Sequence, residues 1–349
     1  MAVTDETLLA AADVRRRINR MTDNQVVELT RAWVSAWDDL APLFSEALVE
    51  LLTGAEGTIP RRVVSRNRRL QAALRQARAT LDTLTATVNE LVLNDVSDAV
   101  LDAVAGHEQV VRTQLPPSTT GVQIDLDAPA PDALNAIVAR TTEQIHAATI
   151  PLSELAVAAM KKELVRGIVL GDNPNKVARD LMRRTEGHFN GGLARAIRIA
   201  RTEMLDANRA GAHEAAKANK DLLTGWRWQA TLDARTCPSC LAKHGTVHGV
   251  DEFGPEDHQQ GRCARVDVVK SWRDLGFDID EPDDTFPDAR AWYDGLDEQT
   301  QLHIMGPERK QLLDTGAISW DDLSTLRKTP EWRDSYGVTP VSVLRAVAG

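Results

Sequence analysis

A run of apolar residues repeats at alternating steps of four and three between positions 70 and 91, and it constrains the fold more than any other feature. Such steps place every member on one face of an α-helix. The members are Leu70, Leu74, Ala77, Leu81, Leu84, Val88 and Leu91. This spacing is typical of a coiled-coil-like antiparallel hairpin, and core packing in a bundle accounts for it equally well. A similar stripe runs from Val26 to Leu40. We therefore predict a mainly α protein.

Proline and glycine residues punctuate the helical segments. Pro116 and Pro117 open a stretch rich in Pro, Ser, Thr and Asp, which is typical of a linker. A separate helix is predicted before it, from about Asp95 to Thr113. Gly191 and Gly192 predict a later break between two helices. We predict four parts: an N-terminal helical domain over 1–115, a linker over 116–132, a second domain over 133–270 and an acidic helical tail over 271–349.

Short alternating segments flank the cysteines of the second domain. Apolar and polar residues alternate there as they do in half-buried strands. The apolar members are Trp226, Trp228 and Ala230 in the first segment, and Ala264, Val266 and Val268 in the second. The predicted fold class is therefore mainly α: a multi-helix N-terminal domain, then a helical second domain with a small β-containing, zinc-knuckle-like module, and an acidic helical tail.

The charge distribution predicts a possible contact surface in the N-terminal domain. Formal net charge is −10, yet one stretch carries only basic charge. Its members are Arg61, Arg62, Arg66, Arg68, Arg69, Arg75 and Arg78. Such a run suits phosphates or an acidic protein surface, and a solvated helix face is the alternative.

No stretch of the sequence reaches the ~18 apolar residues of a membrane span, and the N-terminus lacks the apolar segment of a signal peptide. Assembly in a host cytoplasm is expected.

All three cysteines lie between positions 237 and 263, which points to a metal site rather than a disulfide. Cys237 and Cys240 form a CxxC knuckle, whose two intervening residues let both thiolates face one cation. His258 and Cys263 would complete a Cys₃His set, a common structural zinc arrangement. His244 and His248 are spare candidates for the histidine position. Buried thiols beside surface histidines are the alternative to a metal site.

Catalytic versions of such patterns are incomplete in this chain. A zinc deaminase needs an upstream H-x-E motif, which is absent. The H-E-x-x-H pattern that begins at His213 has Lys217 in place of its second histidine. An HNH-like nuclease stays open as an alternative, since Asp257 and His258 offer its metal-binding pair. Phosphate-cradling loops and Gly-x-Ser-x-Gly elbows are missing. The sequence therefore predicts no catalytic residues.

Several motifs follow one another in a specific order between Ile199 and about Val269. They are Ala200-Arg201-Thr202-Glu203, Asn208-Arg209-Ala210-Gly211, a tryptophan strand, Asp233 through Cys240, Gly245, and His258 through Cys263, with Gly171-Asp172-Asn173-Pro174 upstream. This order resembles the phage Mu F-like head morphogenesis family. One departure is that Gly261 stands where the family's His-x-x-Cys-Arg-Cys pattern has its first cysteine. We interpret Arg201 and Glu203 as structural charges on a helix that packs on the knuckle, where they can hydrogen-bond its turns; two solvent-facing side chains are the alternative.

The resemblance implies a role rather than a reaction. It implies a non-enzymatic minor capsid or head morphogenesis protein of a tailed bacteriophage, located in the capsid interior or at the portal vertex. Portal protein or major capsid protein would be its partner, and packaged DNA is a further candidate through the seven arginines. The alternative function is a zinc-stabilised, HNH-like nuclease or a toxin-like enzyme.

Overall fold

The computed structural model describes residues 2–53, 58–117, 124–165, 168–169, 174–329 and 332–349. Its contacts form two compact units, each assembled from segments that are distant in sequence. The helical unit comprises Arg20–Val96 and Ala139–Met204, and the knuckle unit comprises Met1–Asn19, Ser97–Val138 and Leu205–Gly349. The four sequential parts stay a prediction, and residues 118–123 of the predicted linker lie outside the described residues, as do 171–173 of the upstream motif.

Long helices make up most of the first 218 residues. The elements are α1 (Asp5–Leu52), β1 (Thr58–Ile59), α2 (Arg61–Arg66), α3 (Arg68–Arg112), α4 (Pro131–Thr149), α5 (Leu152–Val165), β2 (Ile168–Val169) and α6 (Pro174–Ala218). The two short strands pair antiparallel. Among the described residues, no helix is both long enough and apolar enough to cross a membrane.

The helical unit has the core that the apolar repeat predicts. Every member of the repeat from Leu70 to Val88 is buried, and Leu91 is half-buried. Four helices meet at Gly192, because a Cβ added there would lie 3.8–3.9 Å from atoms of Trp33 on α1, Leu81 on α3 and Ala156 on α5. The repeat therefore packs inside a bundle, and apolar burial on this scale supplies the main driving force for folding.

Two predicted helix breaks are wrong. The helix predicted from about Asp95 is the continuation of α3, and α6 runs through Gly191 and Gly192 without interruption. A glycine inside a helix costs about 1 kcal/mol relative to alanine, which is less than the gain from burying large neighbours. Phe189 is fully buried close to these glycines, so tertiary packing outweighs the local preference.

A three-stranded sheet lies at the centre of the cysteine-containing segment. The elements are β3 (Leu223–Gln229), α7 (Pro238–Lys243), β4 (Val247–His248) and β5 (Ala264–Val269). The strand order is β4-β3-β5 and both pairings are antiparallel. Trp226, Trp228, Val266 and Val268 are buried, which confirms the two strands that alternation predicted.

The acidic tail folds into short helices and a hairpin. Its elements are α8 (Ala289–Asp294), α9 (Glu298–Met305), α10 (Pro307–Asp314), a 3-10 helix (Asp321–Leu323), β6 (Ser324–Thr329), β7 (Trp332–Val338) and α11 (Val341–Ala348). The β6–β7 hairpin was not predicted, because its residues are mostly polar and give a weak strand signal. Leu241 of α7 is buried in one cluster with Tyr293, Met305 and Leu323, so the tail and the knuckle helix share a core.

Candidate metal centre

The CxxC knuckle is built on the first turn of α7. Cys237 precedes the helix, and its Sγ accepts a hydrogen bond from the backbone N–H of Cys240 at 3.4 Å. Pro238 occupies the first helical position, where its missing N–H costs nothing. Cys240 is buried and Cys237 is half-buried. This turn places both sulfur atoms close to the side chain of His258.

Cys237, Cys240 and His258 form a donor group in which all ligand atoms lie within 4.8 Å of one another. The Nδ1 of His258 donates to the carbonyl oxygen of Gln259 at 2.9 Å. That bond leaves Nε2 as the nitrogen whose lone pair can bind a cation. Two sulfur donors and one imidazole suit a soft or borderline metal with tetrahedral geometry. These three residues can therefore hold a metal ion.

Cys263 lies beside this group. It is buried in the same cluster as Cys240, Trp226 and Trp228. The pKa of the Cys240 thiol is raised above its ordinary value, first by its interaction with Cys237 and then by Cys263 and burial. The thiol of Cys263 is thus a neighbour of Cys240, and Cys263 lies immediately before β5. Its part as the fourth ligand stays a prediction.

Charges within the metal-free group favour one ionised pair. Hydrogen bonding from Cys240 and then His258 lowers the pKa of Cys237 to about 4, against the effect of burial. The thiolate of Cys237 in turn raises the pKa of His258 to about 9. At neutral pH the metal-free site therefore holds a thiolate beside an imidazolium. Because a ligating histidine must be neutral, metal binding at this pH releases the His258 proton.

The same pair predicts how the stability of metal-free protein depends on pH. Cys237 contributes stability that is lost as pH falls from 9.0 through about 4. His258 contributes stability that is lost as pH rises from 6.5 through about 9. Between pH 6.5 and 9.0, rising pH adds stability through Cys237 and removes it through His258, so the two contributions oppose each other. We therefore expect the module to lose stability mainly as pH falls from 6.5 to about 4. Thermal melts of reduced, chelator-treated protein across this range measure it.

Cys237→Ser is the control for that pH series, because serine cannot supply the thiolate. We expect the variant to show a smaller change in melting temperature over the same acidic range. An equal change in both proteins would contradict the assignment of the ion pair to Cys237 and His258.

The two spare histidines are engaged elsewhere. His244 accepts a hydrogen bond from the N–H of Ala230 at Nδ1 and donates from Nε2 to the carbonyl of Pro287, both at 3.0 Å. His248 stacks on Trp226 with ring centroids 4.2 Å apart, and its Nδ1 lies 2.6 Å from a carboxylate oxygen of Glu252. The Nε2 of His248 lies 2.9 Å from the hydroxyl of Thr246. Both ring nitrogens of each histidine have partners, so neither histidine offers a lone pair to the metal group.

A buried ion-pair network holds the loop that carries His258 and Cys263. Arg209 on α6 places Nη1 2.8 Å from Oδ1 of Asp257 and donates from Nη2 to Oδ2 at 2.9 Å. The same Nη2 donates to the carbonyl oxygens of Gly261 and Cys263, at 2.9 and 3.1 Å. Burial disfavours a charge there, yet Asp257 and Asp206 raise the pKa of Arg209. The side chain of Arg209 therefore binds both ends of the loop from Asp257 to Cys263, and it acts as a charged clamp on this ligand loop.

The tail hairpin extends this network. Arg333 of β7 makes a two-point ion pair with Asp206 of α6, with both N–O distances 2.8 Å. Asp257 also accepts the backbone N–H of Cys263 at 3.1 Å. Removing one partner from such a set leaves an uncompensated buried charge, which destabilises strongly. The network was missed from sequence, although Arg209 lies inside one of the motifs singled out there.

That motif now has a physical explanation. The side-chain amide of Asn208 donates to the carbonyl of Ala99 on α3 at 3.0 Å. A Cβ at Gly211 would lie 2.8 Å from the carbonyl oxygen of Val100, so only glycine permits this close approach. Asn208 and Gly211 thus hold α6 against α3, while Arg209 binds the ligand loop.

Arg201 and Glu203 lie in the helical unit. Arg201 pairs with Asp23 of α1 at 2.8 Å, rather than with a knuckle turn as predicted. Glu203 is buried, with 3% of its surface exposed. Arg201 thus makes a structural ion pair, but its carboxylate partner is on α1 and not in the knuckle as the interpretation expected.

Gly261 is required by its contact with Asp257. A Cβ at position 261 would lie 1.9 Å from Oδ2 of Asp257. The N–H of Gly261 also donates to the carbonyl of His258 at 2.9 Å, closing a turn. The carboxylate that binds Arg209 thus fills the space a side chain would need, which explains the departure from the cysteine pattern.

We expect Gly261→Ala to lower the free energy of unfolding by about 1–3 kcal/mol, because the loop or the carboxylate must move. Urea denaturation of the metal-loaded protein measures it. Gly249→Ala is the matched control, since a Cβ there meets nothing within 4 Å. Equal stability of the two variants would contradict the steric assignment.

Comparison with known proteins identifies the segment that contains this centre. Residues 158–266 match the family model described as Phage Mu protein F like protein. Searches of curated proteins and of solved structures gave no significant match. The matched segment runs from within α5 to within β5, so it includes the whole CxxC knuckle, His258, Cys263 and Arg209. The segment that carries the candidate metal centre is therefore similar to phage Mu protein F-like proteins.

Proposed function

We propose that this chain is a non-catalytic minor capsid protein of a tailed bacteriophage, which binds portal protein or major capsid protein during head assembly and is retained in the virion. The match of residues 158–266 to the phage Mu F-like family carries this proposal. The knuckle unit supports it, because the polar residues around the candidate metal centre are used to hold loops and helices together.

We propose further that the centre holds one structural zinc ion through Cys237, Cys240, His258 and Cys263. Sulfur and imidazole donors favour zinc over magnesium or calcium, which prefer oxygen. The segment between β3 and β5 has little regular structure, so a bound ion would stabilise it substantially. The proximity of the first three donors supports this assignment.

The position of Asp257 favours the structural role over the nuclease alternative. An HNH-like site would need Asp257 and His258 to face a catalytic metal together. Asp257 is fully buried and is held by Arg209, whereas His258 lies beside the cysteines. The carboxylate is therefore occupied by an internal ion pair instead of facing a substrate.

Packaged DNA is a second partner that we propose, through the arginines of α2 and the first turns of α3. The side chains of Arg61, Arg62, Arg66, Arg68, Arg69, Arg75 and Arg78 are at least partly exposed. Within the described residues, Arg69 alone of the seven makes an ion pair, with Glu50 at 2.7 Å. A cluster of exposed arginines in which all but one lack a carboxylate partner is suited to phosphate groups.

Reconstitution tests the assembly role. The protein should co-purify with portal or major capsid protein of the same phage when they are co-expressed, and it should be present in purified virions. Its absence from virions together with no complex would overturn the proposal.

A separate assay tests the nuclease alternative. His258→Cys should keep a four-sulfur metal site while it removes the imidazole. DNA cleavage by wild-type protein that disappears in this metal-bound variant would establish the enzyme. We expect no cleavage by either protein.

Salt dependence tests the DNA-binding proposal. Arg68, Arg75 and Arg78 share one side of α3, so we expect an Arg68→Gln, Arg75→Gln, Arg78→Gln variant to bind duplex DNA more weakly. Each phosphate that an arginine no longer neutralises should reduce the slope of log affinity against log salt by about 0.9. Arg183→Gln, at an exposed residue on α6, is the control and should leave the slope unchanged. An unchanged slope in the triple variant would remove this surface from the proposal.

A further inference from the structure

A partly open cavity of about 60 Å³ lies within the knuckle unit, between α1, α3, α6 and β5. Apolar side chains such as Val14, Ile18 and Leu205 form one wall. Polar and charged side chains form the other, among them Arg15, His107 and Asp267. A water molecule needs about 10–15 Å³ of such space, so the cavity can hold a few water molecules or one small ion. It is too small for a nucleotide.

His107 presents an unpartnered nitrogen in this cavity. Its Nδ1 lies 2.8 Å from Oδ2 of Asp267, and the two side chains are 2% and 4% exposed. Arg265 occupies the other carboxylate oxygen, with Nε 2.6 Å from Oδ1. The Nε2 of His107 is buried and has no hydrogen-bond partner among the described residues. A buried polar atom of this kind calls for a ligand or an ordered water.

Arg15 is the second feature of the cavity. Its hydrogen bond to the side-chain oxygen of Gln229 is 3.5 Å long, and no carboxylate of the described residues lies within ion-pair distance of it. The other three arginines of the cavity wall have carboxylate partners: Arg209 with Asp257, Arg262 with Asp233, and Arg265 with Asp267. Arg15 therefore has no carboxylate ion pair among the described residues, and the opposing charges that act on it are those of Cys263 and Asp233.

These two features specify the chemistry of an occupant. Arg15 favours a negatively charged acceptor, because its guanidinium is partly buried and has no carboxylate ion pair. With Nδ1 committed to Asp267, a neutral His107 offers Nε2 as an acceptor, and a protonated one offers it as a donor. A small oxyanion that keeps a proton has both an O–H donor and oxygen acceptors, so it satisfies Nε2 in either state.

We propose that this cavity is a binding site for a small protonated oxyanion, of which hydrogen phosphate is the test case, held by Arg15 and His107. The site adjoins the proposed metal centre, because Cys263 also lines the cavity, and its lining includes none of the seven arginines of α2 and α3. The bound ion would link α1, which carries Arg15, to α3 and β5, which carry the His107–Asp267 pair.

Calorimetric titration of the metal-loaded, full-length protein with inorganic phosphate at constant ionic strength tests the proposal. We expect saturable binding at one site in wild-type protein. Arg15→Met should weaken it by at least about tenfold, which corresponds to about 1.4 kcal/mol. Arg16→Met is the matched control, because Arg16 is a neighbouring, exposed arginine paired with Asp13. It should bind phosphate like the wild type.

His107→Asn is a second variant that keeps an N–H donor near the position of Nδ1 while it deletes Nε2. It should also bind phosphate more weakly. No saturable binding by wild-type protein, or equal affinity in wild-type protein and Arg15→Met, would overturn the proposal and leave the cavity to water.

Discussion

Replacing Cys237 with serine is expected to remove the bound metal and to unfold the segment between β3 and β5. Structural zinc contributes on the order of 10 kcal/mol to folding in small modules, and the loss of one thiolate removes most of that contribution. Metal content should fall from about one equivalent to near zero. Amide hydrogen exchange should speed up across residues 231–263, while Val266 and Val268 stay protected, because they pack with Val3 and Ala10.

Two further variants make that experiment specific. Ser239→Ala changes a residue between the two cysteines that is not a donor, and its hydroxyl lies 2.8 Å from that of Ser324. It should keep the metal. Cys263→Ser tests the fourth position, and we expect weaker metal binding. Full metal content in Cys237→Ser, or no metal in freshly reduced wild-type protein, would contradict the structural metal site.

Replacing Asp257 with asparagine is expected to lower the free energy of unfolding by about 3–5 kcal/mol, as removal of one partner from a buried ion pair does. Arg209 would keep Asp206 as a partner, so a value near the lower end is expected. Urea denaturation at fixed zinc concentration measures the change.

Asp294→Asn is the matched control for Asp257→Asn. Asp294 pairs with Arg290 on the surface, where the two side chains are 51% and 45% exposed. Exposed pairs contribute about 0–1 kcal/mol, so this variant should unfold almost like the wild type. If Asp257→Asn were equally mild, Arg209 would not be the clamp on the ligand loop that its geometry indicates.

Periodic features were predictable from the sequence. The stripe from Leu70 to Val88 and the alternation at Trp226 and Trp228 depend on burial of one face, which the spacing of apolar residues records directly. The CxxC spacing likewise confines two sulfurs to one turn, so the proximity of Cys237 and Cys240 follows from local geometry. The sequence predicts His258 as the histidine ligand and offers His244 and His248 as alternatives, and the hydrogen bonds of those two histidines explain why His258 lies with the cysteines.

Features that depend on distant partners could not be predicted. Gly191 and Gly192 signal a break locally, but the close packing at Gly192 decides the outcome. Arg209 and Asp257 are 48 residues apart, and no periodicity connects them. The pairing of Asp206 with Arg333 spans 127 residues. From the sequence alone, charged residues at such separations are expected on the surface, because nothing local indicates that the fold pairs them in the interior.

The contact between Gly261 and Asp257 has an evolutionary consequence. A substitution at position 261 cannot be accepted while the carboxylate of Asp257 occupies the space beside its Cα. The two positions should therefore covary: homologous domains with a cysteine at the equivalent of Gly261 should have a shorter or reoriented residue at the equivalent of Asp257. In such domains the partner of the α6 arginine would have to come from another position. The residue type at position 261 would thus indicate whether the residue equivalent to Asp257 binds the α6 arginine in the same way.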